Sequence, residues 1–212
     1  RRNKHPLVRK AMAISINVKK LSKKSIIIFS ALAALLIIIT IIAVSAVGKR
    51  PVQSDFFDTN ADYVSGIDVS QHNGEIEWNK VSNAADFAMI RVGYRGYGNG
   101  ALQEDSRYEE NLKNAEKEDI PIGVYFYSQA ITPEEADEEA EYVLELIKPY
   151  DIDLPVFIDF EYPYDAEGKH TGRMFNADLS GRDTAEIINA FCRKIITAGY
   201  RAGVYSSSNV YN

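Results

Sequence analysis

The 212-residue sequence holds one cysteine, one tryptophan and three histidines. A lone Cys192 can form no internal disulfide, so the fold is not a disulfide-stapled one. It sits on an apolar stripe of Ile187, Ile188, Phe191, Ile195 and Ile196 and reads as a small buried hydrophobe rather than a nucleophile. His5, His72 and His170 are scattered, and neither CxxC nor HExxH occurs, which argues against a structural zinc site. Acids are missing altogether from residues 1–54, which carry 11 Lys and Arg, a formal +11. Residues 55–212 carry the other 13 cations and all 30 acids, a formal −17. Such an acidic body lacks the clustered cations that phosphate contacts need, which argues against nucleic-acid binding. A composition of 46% hydrophobic and 25% charged residues excludes a wholly disordered chain.

What the basic head does contain is one long apolar run. Residues 25–47 are 23 residues without a charge, enough to span a hydrocarbon core of about 30 Å. A cleaved signal peptide usually has an apolar core of only about 7–15 residues. The run therefore reads as a retained single transmembrane helix. Nine cations precede it, so the positive-inside rule keeps residues 1–24 cytoplasmic and exports the acidic body. The expected location is a single-pass cell-membrane protein with an extracellular domain. Residues 48–64 read as a polar tether and 65–212 as the folded domain.

From Gly66 short apolar runs alternate with amphipathic stretches. Strands are expected at 66–70, 87–94, 120–128, 154–161 and 202–208. Helices are expected at 76–83, 106–118, from Thr132 onward, and at 183–198. Thr132, Pro133 and Glu135 mark the third helix start, and Gly199 suits the last helix end. His72-Asn73-Gly74 reads as a turn, and 162–182 as a long polar loop. Strands alternating with helices point to the α/β class, with a parallel sheet covered by helices. Five units of this kind suggest a TIM-like β/α barrel. A complete one takes about 250 residues, so the barrel is expected to be truncated at its C-terminus.

The sharpest chemical feature is Val156-Phe157-Ile158-Asp159-Phe160-Glu161. Alternate residues of a strand share a face, so Asp159 and Glu161 point together while Ile158 and Phe160 point away. If the apolar pair packs on helices, both carboxylates face the other side at the C-terminal strand ends, where barrel enzymes place their chemistry. Mutual repulsion raises one pKa and leaves the other acid ionised. Glycoside hydrolysis uses such a pair. Asp68 lies between Ile67 and Val69 in the first strand and can join the same site. Arg91, between Ile90 and Val92, serves either as a partner to a nearby acid or as a substrate contact. Tyr125 and Tyr127 share a face of the third strand and Tyr205 lies in the fifth; tyrosines offer sugars a flat apolar surface plus a hydroxyl.

These motifs resemble the family 25 glycoside hydrolases, the lysozyme-type N-acetylmuramidases. The resemblance is carried by GIDVSQHNG with a following Ile-x-Trp, DFAMIRVGYRG, IPIGVYFYS, VFIDFEY and AGYRAGVYSSS. It implies an irregular β/α barrel with fewer helices than strands, using no metal or other cofactor. It implies Glu161 as proton donor, Asp159 as stabiliser of the cationic transition state or positioner of the substrate N-acetyl group, and Asp68 completing the acidic cluster. Tyr125 and Tyr205 are implied as sugar contacts. The family's later strands, with a further acid, are absent from this sequence. The implied activity is hydrolysis of the β-1,4 bond between N-acetylmuramic acid and N-acetylglucosamine in peptidoglycan. Two alternatives remain open: a non-catalytic wall-glycan binder, and a hydrolase of chitin-like polysaccharide.

Overall fold

The computed structural model describes residues 64–207. The basic segment 1–24, the apolar run 25–47 and all but the end of the tether 48–64 lie outside the described residues. Among the described residues no helix is long and apolar enough to cross a membrane.

The chain runs β1 (Gly66–Val69), a 3-10 turn (Gln71–Asn73), α1 (Trp78–Val81), β2 (Phe87–Arg95), β3 (Leu102–Glu104), α2 (Tyr108–Lys117) and β4 (Ile122–Ser128). It continues through α3 (Pro133–Ile147), β5 (Val156–Phe160), α4 (Gly172–Asn176), α5 (Gly181–Thr197) and β6 (Ala202–Tyr205). The strands β1, β2, β4, β5 and β6 lie side by side in chain order, all parallel. The α/β class and the parallel sheet are as expected. Consecutive parallel strands joined by right-handed crossovers place their helices on one face. Ala88, Ile90, Val92, Val124, Phe126, Val156, Ile158 and Phe160 are fully buried, and α2, α3 and α5 pack on the strands that carry them.

The second face is built differently. A Cβ on Gly123 would lie 2.5 Å from the Met89 sulfur, and one on Gly203 would lie 2.4 Å from the Phe157 ring. Large side chains thus fill the space that glycines leave on the neighbouring strand, which closes the lower part of this face with apolar groups. Polar residues occupy its upper part, toward the C-terminal strand ends.

Three departures from simple alternation shape that upper part. Between Arg91 and Gly93 the β2–β4 register shifts, leaving Val92 as an extra residue. The bulge puts Arg91 and Tyr94 on the second face and turns Arg95 under the helices. Gly93 is required there, since a Cβ would approach the Gln103 carbonyl oxygen to 2.6 Å. Leu102–Glu104 adds a sixth, antiparallel strand folding back on β2; with three residues and one apolar side chain it carries no strand periodicity to read. The expected loop 162–182 is also structured, holding α4, a Tyr164–His170 bridge and the first two residues of α5. Helix α5 starts at Gly181 rather than Asp183 because Ser180 is its N-cap and Asp183 closes the capping box from the third position. The Thr132 cap of α3 and the left-handed Gly199 after α5 are as expected.

Turning Arg95 inward creates a charge that must be met. Its Nε donates to Glu139 Oε1 at 2.7 Å, and Ser128 Oγ donates to Glu139 Oε2 at 2.6 Å. Glu139 is fully buried. Burial raises its pKa, and the bonds from Ser128 and Arg95 oppose that rise. Removing one partner of a buried pair strands the other. Glu139→Ala is expected to lower the unfolding free energy by about 3–5 kcal/mol, measured by urea denaturation.

Candidate active site

The register of the sheet builds the site row by row. Tyr94 pairs with Tyr127, Tyr127 with Asp159, and Asp159 with Tyr205, so one row crosses β2, β4, β5 and β6. One row lower, Arg91 pairs with Tyr125, Tyr125 with Phe157, and Phe157 with Gly203. Asp68 lies beside Met89 on β1. Asp68, Asp159, Tyr125, Tyr127 and Tyr205 therefore share one face; the register does not extend to Glu161.

The strand β5 ends at Phe160, so Glu161 lies just beyond it and not within it as expected. Its emerging chain is gripped on both sides. Gln129 Nε2 donates to the Glu161 carbonyl at 2.9 Å, and Ser206 Oγ donates to the Phe160 carbonyl at 2.7 Å. Asp68, Tyr125, Asp159 and Tyr205 line one cavity of about 340 Å³, with Phe87, Met89 and Phe157 among its apolar walls. Arg91 and Tyr127 line a second, of about 310 Å³, with Gln71, His72, Tyr94, Tyr97 and Pro163. Glu161 lines neither; its charge is felt by Asp159, Tyr127 and Tyr205. Tyr125 and Tyr127 share a strand face yet serve different cavities.

The electrostatics single out Asp159. It is 7% exposed, and its Oδ1 is buried without a hydrogen-bond partner. Burial, then the charges of Glu161 and Asp68, push its pKa up to about 8, and Arg91 opposes them. Glu161 is half-buried, and burial raises its pKa as well. The larger rise thus falls on Asp159, the acid that the resemblance makes the stabiliser, and not on the implied donor. The two acids interact, so protons leave the pair and not either residue alone. Burial leads in raising the Tyr125 and Tyr127 hydroxyls too, followed by Asp68 for Tyr125 and by Asp159 for Tyr127.

Arg91 takes the acid-partner role. Its Nε donates to Asp105 Oδ2 at 2.8 Å, and its guanidinium lies 5.3 Å from the centre of the Tyr94 ring. Asp105 is fully buried and was not expected at the site. It also accepts the Gln71 and Arg107 backbone N–H groups, while its own N–H bonds the carbonyl of the bulged Val92. It ties the 3-10 turn, the bulge and Arg91 together. No motif marks Asp105; only the fold brings it within reach of Gln71, 34 positions earlier. The His72-Asn73-Gly74 turn forms as expected, capped by Ser70 and closed by Gly74 in the left-handed region.

A buried acid beside a half-buried one, at the carboxyl ends of parallel strands and flanked by tyrosines, is the arrangement of a carboxylate-dependent glycosidase. The chain belongs to the glycosyl hydrolases family 25, whose family model matches residues 67–212. It is similar to the modular autolysin LytC from Streptococcus pneumoniae, at 29% identity and a TM-score of 0.58 over 72% of this chain and 34% of that one. LytC is also known in complex with a synthetic peptidoglycan ligand, and that chain is 28% identical to this one. The chain spans about a third of the length of LytC. The spore cortex lytic enzyme SleM of Clostridium perfringens shares the fold at 19% identity and a TM-score of 0.59, over 72% of this chain and 47% of that one. So does the bacterial lysozyme from Streptomyces coelicolor, at 22% and 0.52, over 72% and 67%. No curated protein matches the chain.

The raised pKa of Asp159 has a consequence for stability. An unfolded aspartate titrates near about 3.9, whereas folded Asp159 keeps its proton up to about 8. Between those values the folded state binds more protons, so stability falls as pH rises from about 4 to about 8. Asp159→Asn is expected to be more stable than the parent at pH 8, by up to about 5 kcal/mol for a pKa raised from about 4 to about 8. The two should converge at pH 4, as read by urea denaturation across that range.

Proposed function

We propose that the protein is a membrane-anchored muramidase that cleaves the β-1,4 bond between N-acetylmuramic acid and N-acetylglucosamine in peptidoglycan. The observation that carries this reading is Asp159: a buried carboxylate with an unpartnered oxygen, facing a cavity beside Glu161. A bare carboxylate oxygen in such a place is costly unless a ligand uses it. The acetamido N–H of a bound sugar has the right chemistry to do so.

In this reading the sheet is part of an irregular β/α barrel, and its second face is the barrel interior. Near neutral pH the Asp159–Glu161 pair holds one proton. A sugar N–H donated to Asp159 favours the ionised form there and moves the shared proton to Glu161. Glu161 then protonates the glycosidic oxygen as the bond to the anomeric carbon breaks. Asp159 stabilises the positive charge that develops, or holds the N-acetyl group for attack on that carbon; water then bonds to the anomeric carbon and gives its proton to the Glu161 carboxylate, which restores the acid. Asp68 keeps the local potential negative. Tyr125 and Tyr205 stack on the sugar, while Tyr127 and Arg91 shape the adjoining cavity. The anchor is residues 25–47, with residues 1–24 cytoplasmic and the barrel outside the cell; the uneven charge of the sequence supports that orientation.

Glu161→Gln removes the proton and keeps the shape. In the full-length protein it is expected to cut the release of reducing N-acetylmuramic acid ends from purified cell wall by about 10²–10⁴-fold. Unchanged release would overturn the assignment. Purified chitin, tested alongside, should yield far fewer soluble products than peptidoglycan.

A further inference from the structure

The loop after Glu161 is fastened to the far side of the sheet, and the fastening passes through two side chains that the chemistry above leaves unused. Arg173, on α4, forms a two-pronged ion pair with Glu135 on the first turn of α3: Nη1 to Oε2 at 2.8 Å and Nη2 to Oε1 at 2.7 Å. The same Nη1 donates to the Gln129 carbonyl at 3.0 Å. Gln129 is fully buried, and its side-chain amide donates to the Glu161 carbonyl. Its second amide bond, to the Ser128 carbonyl at 3.0 Å, fixes which way that side chain turns. The backbone of α4 is pinned as well, with the Arg173 N–H donating to the Tyr97 carbonyl at 2.9 Å. A Cβ on Gly172 would lie 3.2 Å from Gln129 Oε1 and 2.8 Å from Pro163, so the loop lies directly against the glutamine.

We propose that Arg173 and Gln129 act as a latch that positions Glu161, setting the direction in which its carboxyl leaves the sheet. This rests on Glu161 being the proton donor. Without the latch, the Glu161 carbonyl would keep only the longer bond from the Tyr127 hydroxyl, at 3.5 Å, while the Ser206 bond holds Phe160 behind it. A bond at the limit of hydrogen-bonding distance fixes the Glu161 peptide far less firmly than the 2.9 Å bond from Gln129. The planar guanidinium suits the task, because one group meets both Glu135 oxygens and still reaches a carbonyl. Burial pushes Glu135 upward, yet the bonds from Arg173 and Ile131 together hold it below its ordinary pKa. The same pairing raises the Arg173 pKa, so the pair is charged near neutral pH. Arg173 touches no part of either cavity, so it is a positioning residue.

The test compares Arg173→Met, Arg173→Lys and the exposed control Arg182→Met in the full-length protein on purified peptidoglycan. A donor displaced by about 1 Å costs up to about 10²-fold. For Arg173→Met we expect kcat to fall about 10–100-fold, with KM within about threefold. Arg173→Lys should recover part of the loss, and Arg182→Met should match the parent. The pH profile separates positioning from simple loss of charge. Removing a cation alone would raise the Glu161 pKa, whereas a released Glu161 becomes more hydrated and its pKa drops. The basic limb of kcat/KM is therefore expected to move to lower pH. Should Arg173→Met fail to fold, Glu135→Gln carries the same test, since it keeps an acceptor for the Ile131 N–H and loses only the ion pair. Its kcat should fall in the same way, and the double variant should be no worse than the poorer single one. A folded Arg173→Met with parental kcat, or one with raised KM alone, overturns the latch. Failure of the parent to release reducing ends, or a fully active Glu161→Gln, overturns the reading of Glu161 on which the latch rests.

Discussion

Neighbouring residues of β5 face different surroundings, and little freedom remains once that is set. Ile158 and Phe160 are buried beneath the helices, so Asp159 is forced onto the opposite face. Shifting the strand by one residue would drive a carboxylate into the helix layer and expose two large apolar side chains. That penalty is far larger than the cost of leaving Asp159 short of hydrogen bonds. The oily face thus holds the acid where it is, between Tyr127 and Tyr205, with one oxygen unmet.

The rest of the site supports that arrangement through two arginines from the same strand. The Val92 bulge separates them. Arg91 faces the acids and is held by Asp105, whereas Arg95 turns under α3 and is met by Glu139. A straight β2 would place Arg91 and Arg95 on the same face, four residues apart. The bulge instead leaves Arg91, and not Arg95, as the cation that acts on Asp159. It is enough to moderate the repulsion among Asp68, Asp159 and Glu161 without neutralising it, since Asp105 already shares that guanidinium. Unmet charge of this kind persists where function uses it and where the surrounding packing is strong enough to bear its cost.

Much of this was legible in the sequence because strand periodicity and capping are local. The phase of Phe157-Ile158-Asp159-Phe160, the face shared by Tyr125 and Tyr127, and the Thr132 cap all follow from a few consecutive residues. What escaped depends on contacts between distant segments. The bulge is invisible because Arg91-Val92-Gly93-Tyr94 reads as unbroken strand, and only the neighbouring β4 reveals the extra residue. Asp105, Gln129 and Arg173 look like ordinary polar loop residues until the fold sets them against Arg91, Glu161 and Glu135. The C-terminal end of β5 falls one residue short of the expected one for the same reason: Glu161 continues the alternation, but no ladder partner follows Phe160; its N-terminal end falls two residues later than expected, at Val156. The spacing led us to expect one acid raised by repulsion and the other left ionised; in the structure both are raised, with burial the leading cause for each. The larger rise lies on Asp159, because burial outweighs the mutual repulsion that the spacing alone revealed.

The most direct test is a crystal structure of full-length Glu161→Gln bound to a peptidoglycan oligosaccharide. We expect the scissile glycosidic oxygen within about 2.6–3.2 Å of the residue 161 amide, with an acetamido N–H on Asp159 Oδ1. A sugar chain bound without touching either residue would contradict the role assigned to the pair.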